Sequence, residues 1–388
     1  MNKTRYAICI FLALLIFAVV NTTLGALLTR YIDHYQLIES QQGLPVSMLN
    51  IGCIIAITSS LWVTRWIKKQ HLVWLASAAT VLLLIPQGFP PPFPVFSALF
   101  LLIGISVGYT DVLASSSIAD LYDGKRAATM MCILHAVFGA AGIVMPLVYS
   151  VMMNAGLPWN GIYTVLFGIG ACMLAYIIPV SISRARHLTL QGVVNQRFTR
   201  GDLQRFFKDQ GSIMILVAIF FYAFFLSAIT IWIDRYVGVG LGNKNLSALS
   251  LSLFWVGLTL SRLLTPLLNI KPPVLIRWAS LATAATLVIG IALHNAPLMC
   301  ATSVLAGLFS GATIPLLLHI ACQKYKSNTL MATTFLFLAI YASQSIAPPI
   351  MGFIASTWGL TIAMLLCPAA VGLCGLAAFM IRAETIEA

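Results

Sequence analysis

Charged side chains are scarce in this sequence. Asp, Glu, Lys and Arg together make up 8% of its 388 residues, whereas a soluble domain carries about 25%. A chain with so few charges cannot cover a water-facing surface, which excludes a soluble enzyme and a disordered chain. The eight cysteines form no C-x-x-C pair and lie mostly in apolar stretches. This pattern excludes a secreted disulfide scaffold and a cysteine metal site.

Known catalytic patterns are also missing from the sequence. It contains no G-x-S-x-G, no H-E-x-x-H and no phosphate-binding Walker loop. We therefore predict that the protein is not an enzyme, has no catalytic residues and uses no cofactor or metal. The missing Walker loop also argues against ATP-driven transport by this chain alone.

Long apolar runs dominate what remains, because 60% of the residues are hydrophobic. A helix that crosses a bilayer needs roughly 20 such residues. Hydropathy predicts an all-α membrane protein with twelve transmembrane helices, which we number as spans 1 to 12 in chain order. Their predicted bounds are 7–28, 44–64, 71–89, 94–118, 128–152, 161–183, 212–236, 246–268, 276–293, 297–321, 330–354 and 359–381.

The basic residues predict the orientation of the chain. Lys and Arg outnumber Asp and Glu by 22 to 10, and most of them flank the spans on the side that holds both termini. Only Arg30, Arg235 and Lys244 lie on the other side. By the positive-inside rule, we predict a multi-pass protein of the cell inner (cytoplasmic) membrane with both termini cytoplasmic. The same rule explains the net charge of +12 without nucleic acid as a partner.

The longest hydrophilic stretch, residues 184–210, divides the chain into two similar halves. We predict an N-terminal six-helix bundle over 1–183, a cytoplasmic basic linker over 184–210 and a C-terminal six-helix bundle over 211–388. Residues in the two halves match at an offset of 203 to 205, which indicates a pseudo-symmetric repeat. The matched glycines are Gly52 with Gly257, Gly104 with Gly307, and Gly108 with Gly311.

Two titratable side chains inside spans are candidates for proton coupling. Asp111 lies in span 4, where a carboxylate costs on the order of 2.5–3.5 kcal/mol unless it is paired, hydrated or protonated. It is predicted to carry a proton or bind substrate; the alternative is a structural hydrogen bond between helices. His135 in span 5 is either its partner in proton coupling and substrate binding, or a satisfied helix–helix contact.

Four further residues are candidate contacts for a solute. Amide groups hydrogen-bond hydroxyls, and aromatic rings pack on the C–H faces of sugars. Packing between helices is the alternative for each residue. The four residues are Asn21, Tyr222, Trp255 and Gln344. Arg262, near the end of span 8, is predicted either to snorkel to the interface or to be a gating or pathway charge, which could serve an anionic solute.

Two six-helix halves with cytoplasmic termini and a basic central loop resemble the major facilitator superfamily, in which two bundles alternate access to a midplane site. Several segments further resemble its fucose–galactose–proton symporter group: Gly108 to Asp111, Leu134 to Gly139, Phe221-Tyr222, Phe254 to Gly257 and Ser261 to Leu263. The resemblance implies that Asp111, three positions after a glycine, takes part in proton coupling and sugar recognition. The acids expected in spans 1 and 7 are replaced by Gly25 and Leu226.

These observations predict a secondary active transporter that works by alternating access with proton coupling. Its predicted partners are protons, the lipid bilayer and a small polar organic solute, for which a sugar is one candidate. We expect it to act as a monomer. The alternative left open is an exporter of an amphipathic drug, a siderophore or a metabolite on the same fold.

Overall fold

Long apolar helices account for most of the structure, a computed structural model that describes residues 3–187 and 199–381. Within those two ranges, twelve helices are long and apolar enough to cross a membrane, and no β-strand occurs. Spans 1 to 12 have the bounds Lys3–Ala26, Leu44–Val63, Lys69–Gly88, Phe93–Leu121, Gly124–Asn154, Gly161–Ser181, Gln210–Gly240, Lys244–Leu267, Pro272–Ala292, Ala296–Lys324, Lys326–Trp358 and Leu360–Phe379. The predicted all-α, twelve-helix fold is confirmed.

Three short helices lie outside the spans and were not predicted. They are Leu28–Tyr35, Glu39–Gln42 and Arg200–Lys208. Their sequences mix polar and apolar residues, so a hydropathy window that searches for 20 apolar residues passes over them. The last of them falls within the predicted linker, of which residues 188–198 lie outside the described part of the chain.

Contacts along the chain define two units. Unit 1 comprises residues 1–121 and 140–197, and unit 2 comprises residues 122–139 and 198–388. The first half of span 5 therefore belongs to unit 2. Lys326 of unit 2 donates to the carbonyl of Tyr122 at 3.2 Å and pairs with Asp123 at 2.5 Å. The predicted domain boundaries at residues 183 and 211 were placed by the hydrophilic stretch between the two halves of the chain. They describe the order of the helices along the sequence, and they stay a prediction.

The same helix pairs recur inside each unit. Span 2 packs on span 4 in unit 1, and span 8 packs on span 10 in unit 2. In both pairs glycines bring the helix backbones so close that a Cβ atom has no room. In unit 1, a Cβ at Gly52 would lie 2.2 Å from the Leu101 carbonyl oxygen, and a Cβ at Gly104 would lie 2.1 Å from that of Leu49. In unit 2, a Cβ at Gly257 would lie 2.2 Å from the Val304 carbonyl oxygen, and a Cβ at Gly307 would lie 2.2 Å from that of Phe254. The glycine pairs seen in the sequence are thus the contact points of equivalent helix crossings.

Replacing Gly104 with Ala is expected to destabilise the protein by about 3 kcal/mol, because the obstructing atom is backbone and overpacked cores lose about 1–3 kcal/mol or more. The melting temperature in detergent measures the effect. Gly168→Ala is the matched control, since nothing lies within 4 Å of a Cβ at that helical position. Equal melting temperatures for the two variants would contradict this account of the helix crossing.

Besides the pair of Lys326 with Asp123, ion pairs between described residues join helix ends in each unit. In unit 1, Lys69 Nζ at the start of span 3 lies 2.9 Å from Asp120 Oδ2 at the end of span 4, and both side chains are less than 10% exposed. In unit 2, Asp209 precedes span 7 and pairs with Lys324 at the end of span 10. Burial alone would raise the pKa of Asp209, but hydrogen bonds from Lys324 and Ser212 outweigh it and lower the pKa below its usual value.

Candidate substrate site

Asp111 lies within span 4 of unit 1 and is 6% exposed. Gly104 and Gly108 contact span 2, and Asp111 follows them by seven and three residues, so it lies on the same side of the helix. Tyr109 meets span 2 through a hydrogen bond of 2.6 Å between its hydroxyl and that of Ser59. The predicted acid is therefore buried in a polar segment of a closely packed helix pair.

Asn21 is half-buried in span 1, and its side-chain amide makes no hydrogen bond with another described residue. The hydroxyls of Thr22 and Thr23 beside it bond to carbonyl oxygens of their own helix at 2.7–3.0 Å. Thr23 also meets the hydroxyl of Tyr149 at 2.6 Å. The hydroxyls beside Asn21 are therefore paired within unit 1, and the Asn21 amide is left available to a solute.

Arg262 is buried in unit 2, at 3% exposure. Its Nε donates to the carbonyl oxygen of Gly311 at 2.9 Å, and its Nη1 donates to that of His135 at 2.7 Å. The prediction that Arg262 snorkels to the interface is therefore wrong, because the guanidinium turns inward to two backbone carbonyls. The imidazole of His135 is itself 8% exposed.

Span 10 is broken where Arg262 meets it. One helix segment ends at Ser310 and the next begins at Thr313, with Gly311 and Ala312 between them. A Cβ at Gly311 would lie 2.4 Å from the Leu258 carbonyl oxygen, so only glycine permits this approach to span 8. The sequence predicted one continuous span over 297–321, and this break was missed. Broken helices are a common source of ligand-binding backbone groups in transporters.

Tyr222 lies beside the break, in span 7, and is fully buried. Its hydroxyl lies near both Ser310 and Arg262. It completes no hydrogen bond within the described residues, and the Ser310 hydroxyl donates to the Ala306 carbonyl instead, at 2.6 Å. Buried hydroxyls are nearly always paired, so an unpaired one marks a place where a ligand or water can bind.

Trp255 and Gln344 are both half-buried in unit 2. The Trp255 ring centroid lies 6.4 Å from that of Phe138. Because Phe138 follows His135 by three residues on the same helix, Trp255 is near the group formed by Arg262 and His135. Gln344 meets span 7 only through its main chain, whose carbonyl oxygen accepts from Ser227 at 3.3 Å. Within unit 2, the structure thus groups His135, Arg262 and Tyr222, with Trp255 nearby.

Sequence reasoning missed several residues of this cluster. Thr259 lies against span 5, where a Cβ at Gly139 would come within 2.3 Å of its Oγ1 atom. Ser310 ends the first helix segment of span 10, and Gly311 begins the break. Ser and Thr are common in membrane helices and carry no signal by themselves, whereas Gly311 was visible only as the repeat partner of Gly108.

An apolar cavity of about 250 Å³ lies between spans 8, 9 and 10. Its lining includes Leu264, Leu268 and Leu308, but none of the seven predicted site residues. Within the described residues, no group of three or more His, Cys, Asp or Glu side chains is placed to hold a metal ion. The cavity is therefore apolar and separate from the predicted side chains, although Ala312 and Thr313 at the break in span 10 contribute to its lining.

Twelve membrane-length helices, an internal repeat of helix crossings and polar groups buried within the spans are the features of a membrane transporter. Residues 7–286 match the sequence profile of the Major Facilitator Superfamily. The chain belongs to this superfamily, whose members are transporters and not enzymes, and the predicted family is confirmed.

Among curated relatives, Protein TsgA of Salmonella newport (strain SL254) is 23% identical over 240 residues. The match covers 60% of this chain and 57% of TsgA, so the chain spans little more than half the length of this relative. Two solved transporters share the fold. FucP, the E. coli fucose:proton symporter, superposes with a TM-score of 0.81 at 15% identity over 97% of this chain and 99% of FucP. The proton:xylose symporter XylE superposes with a TM-score of 0.80 at 13% identity over 98% and 96% of the two chains.

Proposed function

We propose that this chain is a proton-coupled secondary transporter that moves a small polar organic solute across the cytoplasmic membrane by alternating access. The observation that carries the proposal is Asp111, a carboxylate that is 6% exposed within a membrane span. An acid at such a position marks a proton or substrate pathway by default, since its charged form is costly there. FucP and XylE, which share the fold, are proton symporters of sugars.

Roles follow from the position of each side chain. Asp111 is the proposed proton site and also a substrate ligand, and His135 is the second titratable group of the coupling reaction. Asn21, Tyr222, Trp255 and Gln344 are the proposed solute contacts, and Arg262 is the charge of the pathway. Asn21 and Gln344 are half-buried amides that make no side-chain hydrogen bond with any described residue, which leaves them free to meet solute hydroxyls.

The rest of the proposal concerns orientation and assembly. Both termini are cytoplasmic, the two six-helix halves run over 1–183 and 211–388 with the basic segment 184–210 between them, and the chain works as a monomer. The basic residues at the span ends support the orientation through the positive-inside rule. The exporter alternative gains no support from the similar proteins, and we do not propose it.

A transport assay with a pH-sensitive dye tests the proposal. The purified protein is reconstituted in liposomes that contain the dye, and sugars and sugar acids are added outside one at a time. We expect at least one solute to enter together with protons, so that the lumen acidifies, and a protonophore to abolish its accumulation. Protein-free liposomes are the control. Solute accumulation that a protonophore leaves unchanged would overturn proton coupling.

A further inference from the structure

Within the described residues of unit 2, the positive charge of Arg262 forms no ion pair with an acidic side chain. Its guanidinium is 3% exposed and donates to the carbonyl oxygens of Gly311 and His135. These bonds satisfy individual N–H groups, but a neutral carbonyl does not cancel a full charge. Arginine stays protonated in proteins, and a buried charge without an opposite charge is strongly unfavourable. The site therefore has an unfilled requirement for negative charge.

The acidic residues that the structure describes in unit 2 do not meet this requirement. No Asp or Glu occurs in the sequence between Asp234 and Glu384, a stretch that contains Arg262 and seven other basic residues. The four acids of unit 2 within residues 122–139 and 199–381 are engaged elsewhere. Asp123 pairs with Lys326, Asp202 with Thr199, Asp209 with Lys324 and Asp234 with Ser247.

Tyr222 supplies an independent observation at the same place. Its hydroxyl is fully buried and has no partner at full hydrogen-bond geometry within the described residues, although Ser310 and Arg262 both lie near it. A phenol can donate one hydrogen bond, and leaving this donor unpaired in the interior is costly. A guanidinium and an unpaired hydroxyl donor beside each other both favour an acceptor that carries negative charge.

The break in span 10 adds to the positive character of the site. The second helix segment of this span, Thr313–Lys324, begins two residues after Gly311, whose carbonyl oxygen holds Arg262. Its N-cap residue is Ala312, which has no side chain able to cap the first N–H groups. The start of a helix carries partial positive charge and favours anions.

Resting on the transport function proposed above, we infer that the transported solute carries an anionic group, a carboxylate or a group of similar charge, which Arg262 and Tyr222 bind at the break in span 10. A monoanion that moves with one proton adds no net charge to the membrane. Uptake of this solute then responds to the pH gradient and not to the membrane potential, whereas a neutral solute that moves with one proton responds to both.

A thermal-shift panel of matched pairs tests the inference on the purified full-length protein. The pairs are D-galactose with D-galacturonate, D-glucose with D-glucuronate, and glycerol with glycerate, at equal ionic strength and pH 7. A ligand that binds the native state raises the melting temperature by mass action. We expect at least one anionic member to raise it and its neutral partner not to do so.

Three variants connect that response to the site. Arg262→Gln should abolish the anion response, and Tyr222→Phe should weaken it about 10-fold in half-saturating concentration, because one hydrogen bond to a charged group is lost. Tyr222→Phe removes only an unpaired hydroxyl, so it folds even if Arg262→Gln does not. Arg277→Gln is the matched control: Arg277 also donates to two backbone carbonyls, those of Ala378 and Ile381, and its loss should leave the anion response intact.

Every outcome of the panel decides the inference. An anion-selective response that falls in Tyr222→Phe and persists in Arg277→Gln supports it. Equal responses to neutral and anionic partners, a response unchanged in both the Arg262 and Tyr222 variants, or no anion response at all overturns it. Proton-driven uptake of D-galactose alone would overturn the anionic class and leave the proposed transport function standing, whereas no proton-driven uptake of any solute would overturn that function.

Discussion

Asp111→Asn is expected to convert active accumulation into simple equilibration. With one proton per solute, a pH gradient of about one unit supports about tenfold accumulation, because 1.4 kcal/mol corresponds to a factor of ten. The amide mimics the neutral, protonated carboxyl group in size and hydrogen bonding but cannot release a proton. The variant should therefore bring the inside-to-outside ratio of radiolabelled solute in proteoliposomes to about 1, while exchange across the membrane continues.

The melting temperature of the Asp111→Asn variant and the transport activity of a variant at an exposed aspartate provide the controls for this result. Asn matches the neutral carboxyl group in size and hydrogen bonding, so the melting temperature should stay close to that of the wild type. Asp33→Asn, on the exposed side of the short helix Leu28–Tyr35, should leave accumulation at the wild-type level. If Asp111→Asn still accumulates solute tenfold under the same gradient, Asp111 is not the proton site.

Lys69→Met is expected to destabilise the protein by about 3–5 kcal/mol, because it leaves the buried carboxylate of Asp120 without the ion pair at 2.9 Å. Removing both charges in Lys69→Met/Asp120→Leu should recover most of that loss, since no buried charge then stays unpaired. Unfolding by SDS in mixed micelles measures the free energy of unfolding for the wild type and both variants.

The matched control is the more exposed pair of Lys326 with Asp123, whose side chains are 40% and 79% exposed. Water screens such a pair, so Lys326→Met should cost less than about 1 kcal/mol. A loss below about 0.5 kcal/mol for Lys69→Met, or a double variant less stable than the single one, would show that burial does not govern the strength of the pair.

The features of this protein that depend on short stretches of sequence could be predicted. Hydropathy is a property of about 20 consecutive residues, so the twelve spans followed from composition, and the structure differs from them by a few residues at most ends. The repeat was also readable, because Gly52 and Gly104 have counterparts in Gly257 and Gly307 at a nearly constant offset. The structure explains those glycines as backbone contacts between helices.

Polar contacts between residues far apart in the chain could not be predicted from the sequence. Arg262 could equally well have reached the interface, since its side chain is long enough for either direction. Its inward orientation depends on carbonyls at His135 and Gly311, which lie 127 and 49 positions away along the chain. Lys69 likewise meets Asp120, which lies 51 positions away along the chain.

The sequence by itself determined the class of protein, the number of spans, the internal repeat and the presence of one acid inside span 4, because hydrophobicity and residue type are local properties. Tertiary structure alone decided which buried polar groups meet. It broke span 10 at Gly311, turned Arg262 toward that break and placed the unpaired hydroxyl of Tyr222 beside it. The physical reason is that hydrogen bonding and charge pairing depend on distances of about 3 Å between helices, which only packing can set.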